Sequence, residues 1–287
     1  MGQNGPKDQC FRLLLPERAV SGVIFASPHS GRDYPEAMLE ATNLSARQIR
    51  SSEDAFVDRL LAAAPNLGAP LLLARVPRAY VDFNRAADEL DPALIEGLRG
   101  VAMNARVRAG LGVVPRVVSG ARAIYHGKLS LAEADQRIAQ FWRPWHQAVD
   151  VLMTQAQAEH GRAVLVDVHS MPSEALDAGP ARPDIVLGDR FGASCAPDVT
   201  EMVAQAFEAE GLRVARNKPF AGAYIAQAHG RPYEGRHVVQ VEIDRGLYMD
   251  EAKIRPREDF DAFAALIGRA MARIIGTEEL RIPLAGQ

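Results

Sequence analysis

The chain has 287 residues, of which 48% are hydrophobic and 24% are charged, a composition that excludes intrinsic disorder and low-complexity sequence. Its 33 basic and 36 acidic residues give a formal net charge of −3, which excludes the strongly basic surface that nucleic acids and anionic membranes attract. We therefore expect a globular protein with no nucleic-acid or membrane partner.

The N-terminal residues 1–18 are predicted to form a loosely ordered segment, and the first six carry no apolar signal-peptide core. No apolar run in the chain approaches the roughly 18–20 residues of a membrane span. The two cysteines, Cys10 and Cys195, are too few for a disulfide framework or a cysteine-ligated zinc site. These features predict a reduced, cytoplasmic protein.

The first half of the chain contains short apolar runs rich in β-branched residues, which predict strands. These runs are Gly22–Ser27, Pro70–Val76 and Ala79–Phe83. Ser51 with Asp54 three residues later is typical of a helix N-terminus, and an apolar face follows it. A second short helix is predicted to open at Asp91, and residues 110–125 are predicted to be loop with extended pieces.

The second half alternates strands with longer helices. A helix capped by Ser130 is predicted to run to about His160, with a kink near Pro144. Helices are also predicted at 197–210 and 256–275, and strands at 163–168, 184–187, 212–215 and 237–243. This alternation predicts a single α/β domain over 1–287, with a mixed, largely parallel sheet flanked by helices.

Polar side chains follow several of the predicted strands, where active sites of α/β sheets form. His29 follows the first strand, His169 follows the strand at 163–168, and Asn84 and Arg85 follow the strand at 79–83. Two histidines at strand ends suggest a metal site, because hydrolytic zinc sites combine histidines with a carboxylate. The alternative for each histidine is a buried, hydrogen-bonded imidazole.

Two carboxylates are candidates for the same site. Asp54 lies 25 residues after His29 and 115 before His169, and is either a metal ligand or a helix-capping residue. Strand alternation puts Glu242 on the face opposite its apolar neighbours Val241 and Ile243. A carboxylate there is either paired with an arginine or acts as a general base.

Arginines cluster near the same segments and predict an acidic substrate, because a guanidinium binds carboxylates through a bidentate contact. The candidates are Arg75, Arg78, Arg85, Arg116 and Arg245. Surface ion pairs are the alternative, but they fit Arg78 and Arg85 less well because these two bracket an apolar run.

Seven segments in this order resemble the N-formylglutamate amidohydrolases, a family similar to the wider group of zinc carboxypeptidases and aspartoacylases. They are Ser27–Pro35, Glu53–Leu60, Arg75–Arg85, Gly110–Arg116, Val166–Pro172, Pro219–Ile225 and His237–Glu251. The resemblance implies a zinc-carboxypeptidase-like fold with a mixed sheet of about eight strands.

The resemblance also implies roles for individual residues. His29 and His169 match the two histidine ligands of a Zn²⁺ ion, and Glu242 matches the catalytic glutamate. The wider group carries its acidic ligand three residues after the first histidine, where this chain has Arg32. The family match instead suggests Asp54 as the third ligand, with Glu53 as the alternative.

The implied activity is zinc-dependent hydrolysis of the formamide bond of N-formylglutamate or a related small acidic N-acyl amino acid, giving formate and the free amino acid, in histidine degradation. Arg78 would stabilise the oxyanion, and Asn84 and Arg85 would bind a substrate carboxylate with Arg116 or Arg245. Two alternatives stay open. One is a zinc carboxypeptidase or deacylase of different substrate, and the other is a non-catalytic binding protein, favoured if His29, His169 and Glu242 do not converge.

Overall fold

A computed structural model of the protein describes residues 10–98, 103–176 and 182–276. Within these residues eleven strands form one large sheet and two small hairpin-like pairs. In chain order the strands are β1 (Phe11–Leu14), β2 (Val23–Ser27), β3 (Leu71–Ala74), β4 (Val117–Val118), β5 (Arg122–Ala123), β6 (Ala163–Met171), β7 (Ile185–Gly188), β8 (Val214–Arg216), β9 (Arg236–Asp244), β10 (Met249–Asp250) and β11 (Arg255–Pro256).

The large sheet has seven strands in the order β1-β3-β2-β6-β9-β7-β8. The four central strands β3, β2, β6 and β9 are parallel to one another. The pairs β1–β3 and β7–β9 are antiparallel. The prediction of a mixed, largely parallel α/β sheet flanked by helices is therefore confirmed, with seven strands where the resemblance implied about eight.

Helices cover both faces of this sheet. The side chains of Val164, Val166 and Val168 pack on one face with the helices Pro197–Glu208 and Phe260–Ile275. Those of Ala163 and Leu165 pack on the other face with the helix Arg143–His160. No helix among the described residues has the length and hydropathy needed to cross a membrane. The α-helices that lie wholly within the described residues are Glu36–Glu40, Ala46–Ile49, Val57–Leu60, Ala105–Arg108, Leu131–Arg137, Arg143–His160, Pro197–Glu208, Tyr224–His229 and Phe260–Ile275.

The strand predicted at 79–83 is wrong, because this segment is a buried turn. The amides of Tyr80 and Val81 donate to the carbonyl of Pro77, and the side chains of Val81 and Phe83 are fully buried. Phe83 stacks on Trp145 with ring centroids 4.8 Å apart. The apolar character of the segment thus reflects burial in the core and not membership of the sheet.

The helix start predicted at Ser51 is also wrong. Ser51 lies in a short 3-10 turn and donates its hydroxyl to the carbonyl of Gln48 at 2.7 Å. The helix begins at Val57 after Phe56, whose φ of 68° is left-handed. The Asp54 side chain caps no helix and is used elsewhere, as described below.

Three further predictions are corrected. Asp91 opens a single turn, and the bridge between Ile95 and Leu129 ends it before a helix forms. The last helix begins at Phe260 and not at 256. The segment 1–18 is expected to be loosely ordered, but its residues Phe11–Leu14 form β1, which pairs antiparallel with β3. Residues 1–9 lie outside the described part of the chain.

The helical stretch predicted from Ser130 to His160 is continuous but changes geometry. Ser130 caps its start by accepting a hydrogen bond from the amide of Glu133 at 3.1 Å. A π-helical turn at Ile138–Trp142 separates the two α-helical parts. Pro144 falls in the first turn of the second part, where its missing N–H is tolerated.

Candidate metal and substrate site

Three side chains converge at the carboxyl edge of the central parallel strands. His29 follows β2 by two residues, His169 lies near the end of β6, and the amide of Asp54 donates to the carbonyl of His29 at 3.0 Å. That backbone hydrogen bond ties the loop carrying Asp54 to the end of β2. The fold thus assembles a His-Asp-His group in which His169 comes from a segment more than 100 residues beyond the other two.

The three potential ligand atoms form a small triangle. Nδ1 of His29 and Nδ1 of His169 are 3.0 Å apart, and Oδ2 of Asp54 lies 3.1 Å from Nδ1 of His169 and 3.4 Å from Nδ1 of His29. Zinc binds ring nitrogens at about 2.0–2.1 Å in tetrahedral sites, which places neighbouring ligand atoms roughly 3.3 Å apart. The spacing of the group therefore fits one tetrahedral divalent cation.

Carboxylates hold the opposite nitrogen of each imidazole ring. Nε2 of His29 lies 2.7 Å from Oδ1 of Asp82, and Nε2 of His169 lies 3.0 Å from Oδ2 of Asp167. Donation of each Nε2–H to its carboxylate leaves each Nδ1 directed into the triangle, where it either carries a proton that faces Asp54 or presents a lone pair to a metal. Metal-binding histidines are oriented in this way in proteins, so the tautomers implied by the contacts are those that a metal requires.

The electrostatics of the group also favour a cation. Burial raises the pKa of the Asp54 carboxyl, but hydrogen bonds from His169 and His29 outweigh it and hold that pKa well below its usual range. Burial lowers the pKa of His169, yet Asp167 and Asp54 raise it well above its ordinary value. The buried group therefore keeps its carboxylate charged and attracts a cation, either the proton that His169 holds or a divalent metal that would displace it.

Glu242 lies beside the triangle. It is the register partner of His169 on the neighbouring parallel strand, so the two side chains emerge on the same face of the sheet. Burial, with the nearby Asp54 charge, raises the pKa of Glu242 to about 7, although His169 lowers it. A carboxylate with this pKa can both accept and release a proton near neutral pH.

Gln240 fixes the orientation of Glu242. Its Nε2 donates to Oε1 of Glu242 at 2.7 Å, and its Oε1 accepts from the amide of Ala223 at 2.9 Å and from Nδ2 of Asn84 at 3.2 Å. Oδ1 of Asn84 in turn accepts from the amide of Ile225 at 2.8 Å. The Asn84 side chain therefore lines the cleft but holds the surrounding protein with both of its polar atoms.

The arginines named from the sequence separate into different environments. Arg78 lines the cleft and donates to Oδ2 of Asp82 at 2.8 Å. Arg245 also lines it, but donates to Oδ1 of Asp54 at 3.0 Å and to the hydroxyl of Ser170. Arg245 thus holds a member of the His-Asp-His group, and Arg78 holds the carboxylate that orients His29.

Arg85 and Arg116 differ sharply. Arg85 is buried at the cleft and donates to the carbonyls of Leu111 at 2.9 Å and Asn84 at 2.7 Å. Arg116 pairs with Asp91 at 2.8 Å and is not one of the residues lining the cleft, so the structure does not bring it to the other candidates. Arg75 pairs with Asp33 on the surface, also outside the cleft lining.

Glu53, the alternative third ligand, points away from the histidines. It accepts hydrogen bonds from Arg50 at 3.0 Å and from the hydroxyl of Tyr34 at 2.7 Å. The potential metal ligands found among the described residues are His29, Asp54 and His169. His29 and His169 line a cleft of about 470 Å³, which is large enough for a small molecule.

Comparison with known proteins identifies the family. The family model of N-formylglutamate amidohydrolase matches residues 21–249. The chain belongs to this family. It is 31% identical over 243 residues to an N-formylglutamate deformylase of Pseudomonas aeruginosa, covering 83% of this chain and 86% of that protein. It is 27% identical over 235 residues to an N-formylglutamate deformylase of Pseudomonas putida, covering 80% of this chain and 83% of that protein.

Solved structures extend the match to the fold. The crystal structure of an N-formylglutamate amidohydrolase from Ralstonia eutropha JMP134 superposes with a TM-score of 0.87 at 34% identity, over 96% of this chain and all of that one. A gene product of Agrobacterium tumefaciens shares the fold with a TM-score of 0.63 at 17% identity, over 95% of this chain and 97% of that one. As an N-formylglutamate amidohydrolase family member, the chain is a hydrolase that acts on amide bonds.

Four side chains of this candidate site were given no role from the sequence, although Gln240 was placed on the same strand face as Glu242. Asp167 and Gln240 each lie two residues before a predicted site residue in the same strand, and strand alternation alone puts each on the same face as His169 or Glu242. Asp82 lies two residues before Asn84, but the strand prediction there was wrong. Arg106 lines the cleft without any local sequence signal.

Proposed function

We propose that the chain hydrolyses the formamide bond of N-formylglutamate, with water giving formate and glutamate. The observation that carries the proposal is the placement of Glu242 beside a His-Asp-His group, in one cleft with the buried cation of Arg85. The names of the related deformylases support the choice of substrate. A cytoplasmic location and a role in histidine degradation stay predictions.

His29, Asp54 and His169 would hold a zinc ion. Bound zinc would supply Lewis-acid chemistry, polarising the formyl carbonyl and making water more acidic. Asp82 and Asp167 keep both imidazoles in the tautomer that presents Nδ1 to the ion. Arg245, through its contact with Oδ1 of Asp54, leaves Oδ2 as the oxygen directed at the histidines.

Glu242 is assigned the proton transfers. As the general base it takes a proton from the attacking water, and as the general acid it delivers that proton to the nitrogen that leaves as the amine of glutamate. Its pKa of about 7, raised by burial, suits both steps. Gln240 holds Oε1 of Glu242, so the other carboxylate oxygen remains for the proton.

Arg78 and Arg85 are assigned to bind the negatively charged groups of the reaction. Arg78 lies on the cleft wall and shares its partner Asp82 with His29; there it would stabilise the oxyanion of the tetrahedral intermediate. Arg85 is fixed by two backbone carbonyls, which orient its guanidinium without neutralising it. It would bind a substrate carboxylate, while Asn84 positions the surrounding loop and Gln240.

The test is formate release by purified protein loaded with one equivalent of zinc. We expect formate and glutamate in equal amounts from N-formylglutamate, and far slower release of acetate from N-acetylglutamate. Release of amino acids from a dipeptide, without release of formate, would instead identify a zinc carboxypeptidase. The convergence of His29, His169 and Glu242 in one cleft argues against a non-catalytic binding protein on the same fold.

A further inference from the structure

Two arginines of the cleft differ from the others in having no close carboxylate partner. The ion-pair contact of Arg85 is the long one of 3.9 Å from its Nε to Oε2 of Glu89. The backbone carbonyl of Arg106 accepts from the amide of Leu111, but its side chain forms no hydrogen bond or ion pair within the described part of the chain, although it lines the cleft. Arg78 and Arg245, by contrast, contact Asp82 and Asp54 at 2.8 and 3.0 Å.

Arg85 and Arg106 share one wall of the cleft. Arg106 lies in the helix Ala105–Arg108, which starts at Asn104, whose side chain accepts from the amide of Val107. The chain then runs directly to Leu111, whose carbonyl holds Nε of Arg85. Burial lowers the pKa of Arg85, Asp82 opposes that effect, and the positive charge of Arg106 lowers it further. The two charges therefore interact, and bound anions would relieve their repulsion.

The two arginines lie at different depths in the cleft. Arg85 is only 5% exposed and follows Asn84, whose Nδ2 is 3.2 Å from Nε2 of His169. Arg106 is exposed and belongs to a separate helix. In N-formylglutamate the α-carboxylate is attached to the carbon beside the amide nitrogen, whereas two methylene groups separate the side-chain carboxylate from it. The deeper cation therefore suits the α-carboxylate and the outer cation the side-chain carboxylate.

We propose that Arg106 binds the side-chain carboxylate of the substrate and so determines the preference for an acidic N-formyl amino acid. This inference rests on the proposed deformylase function and assigns a residue that the motif comparison did not indicate. Arg116 and Arg245 were the sequence candidates for a second anchor, but both are engaged by protein carboxylates. Arg106 is the cation that remains for this task among the described cleft residues.

The experiment pairs two variants with two substrates. N-formylglutamine has nearly the shape of N-formylglutamate but a neutral side chain, so it reports only the loss of the charge. Arg106→Met removes the proposed contact. Arg108→Met, two residues along the same helix, removes an equal charge from an exposed residue that does not line the cleft.

We expect Arg106→Met to lower kcat/KM for N-formylglutamate by about tenfold or more, mainly through KM, because a charge-assisted contact is lost. The same variant should change kcat/KM for N-formylglutamine by less than about twofold, so the selectivity of the enzyme falls. Arg108→Met should leave both values unchanged, and Arg106→Lys should retain part of the preference.

Equal loss on both substrates, or no loss on either, would overturn the role of Arg106 while leaving deformylation standing. A zinc-loaded wild-type enzyme that releases formate from neither substrate would instead overturn the proposed function, and this inference with it. Thermal unfolding of each variant distinguishes a lost contact from lost folding.

Discussion

His169 of β6 and Glu242 of β9 are register partners on adjacent parallel strands, and Asp167 and Gln240 are partners two residues earlier. Directly opposed residues of a parallel pair emerge on the same face. The sheet therefore places the candidate metal ligand His169 beside the proposed base Glu242. Two residues earlier on the same strands, Asp167 and Gln240 hold the side chains of His169 and Glu242. A single strand pairing thus fixes four side chains of the site.

Glu242→Gln tests the proton-transfer role. The amide preserves the shape of the side chain but cannot take a proton, so we expect kcat to fall by roughly 10²–10⁴. Zinc content per chain should stay the same, because Glu242 is not one of the three ligand candidates. Near-normal turnover in a zinc-loaded Glu242→Gln protein would remove Glu242 from the mechanism.

Gln240→Met tests whether the hydrogen bond to Glu242 matters. Met matches the volume of Gln but offers no donor to Oε1 of Glu242 and no acceptor for Asn84. We expect kcat to fall by about tenfold, since a poorly held base spends less time in the reactive geometry. Steady-state kinetics check this, and an unchanged kcat in a folded variant would show that Glu242 needs no such support.

Asp167→Asn tests the support of the metal group. The substitution keeps the shape but weakens the acceptor facing Nε2 of His169. We expect zinc affinity to fall by about 10–100-fold, the usual effect of losing such a partner. Competition with a chromogenic chelator measures it. Asp150→Asn is the control, because Asp150 is exposed and pairs with Arg236 away from the cleft. Equal affinity in the two variants would contradict the prediction.

The buried pair of His146 and His229 predicts loss of stability in acid. Burial lowers the pKa of His146 to about 3, with a contribution from His229, and burial lowers that of His229 to about 4. Histidines of the unfolded chain titrate near 6.5, so between about pH 6.5 and 4 the unfolded state binds protons that the folded state does not. The free energy of unfolding should therefore fall as the pH falls, by up to about 1.4 kcal/mol per pH unit for each histidine.

Chemical denaturation between pH 7 and 4 checks this slope. His146→Gln should make the unfolding free energy depend less steeply on pH across that range. His160→Gln changes an exposed histidine at the end of the same helix and should keep the wild-type slope. Identical slopes in all three proteins would show that the buried pair does not govern the acid response.

The parts of the site carried by strands could be predicted from the sequence. His29, His169 and Glu242 follow or lie within apolar runs, and the order of parallel strands brings their carboxyl ends together. The strand prediction at 79–83 was wrong because a short apolar run is as compatible with a buried turn as with a strand. Its residue Asp82 therefore went unnoticed, although it bonds both His29 and Arg78.

The arginines show where local pattern fails. Arg106 and Arg116 lie ten residues apart, yet Arg116 is paired with Asp91 and Arg106 lines the cleft. Which arginine finds a carboxylate depends on tertiary contacts between distant segments, and a single sequence does not encode them in any short-range spacing. The same holds for Asp54, whose side chain bonds His169 and not a helix amide.

The central claim is that the His29–Asp54–His169 group with Glu242 forms a metal-dependent deformylase. The most direct measurement is formate release from N-formylglutamate by the wild-type protein before chelation, after chelation, and after addition of one equivalent of zinc, with metal content followed by elemental analysis. The account predicts that formate release is lost with the metal and returns with about one zinc per chain. Undiminished release from protein shown to be free of metal, or no release from fully loaded protein, would contradict it.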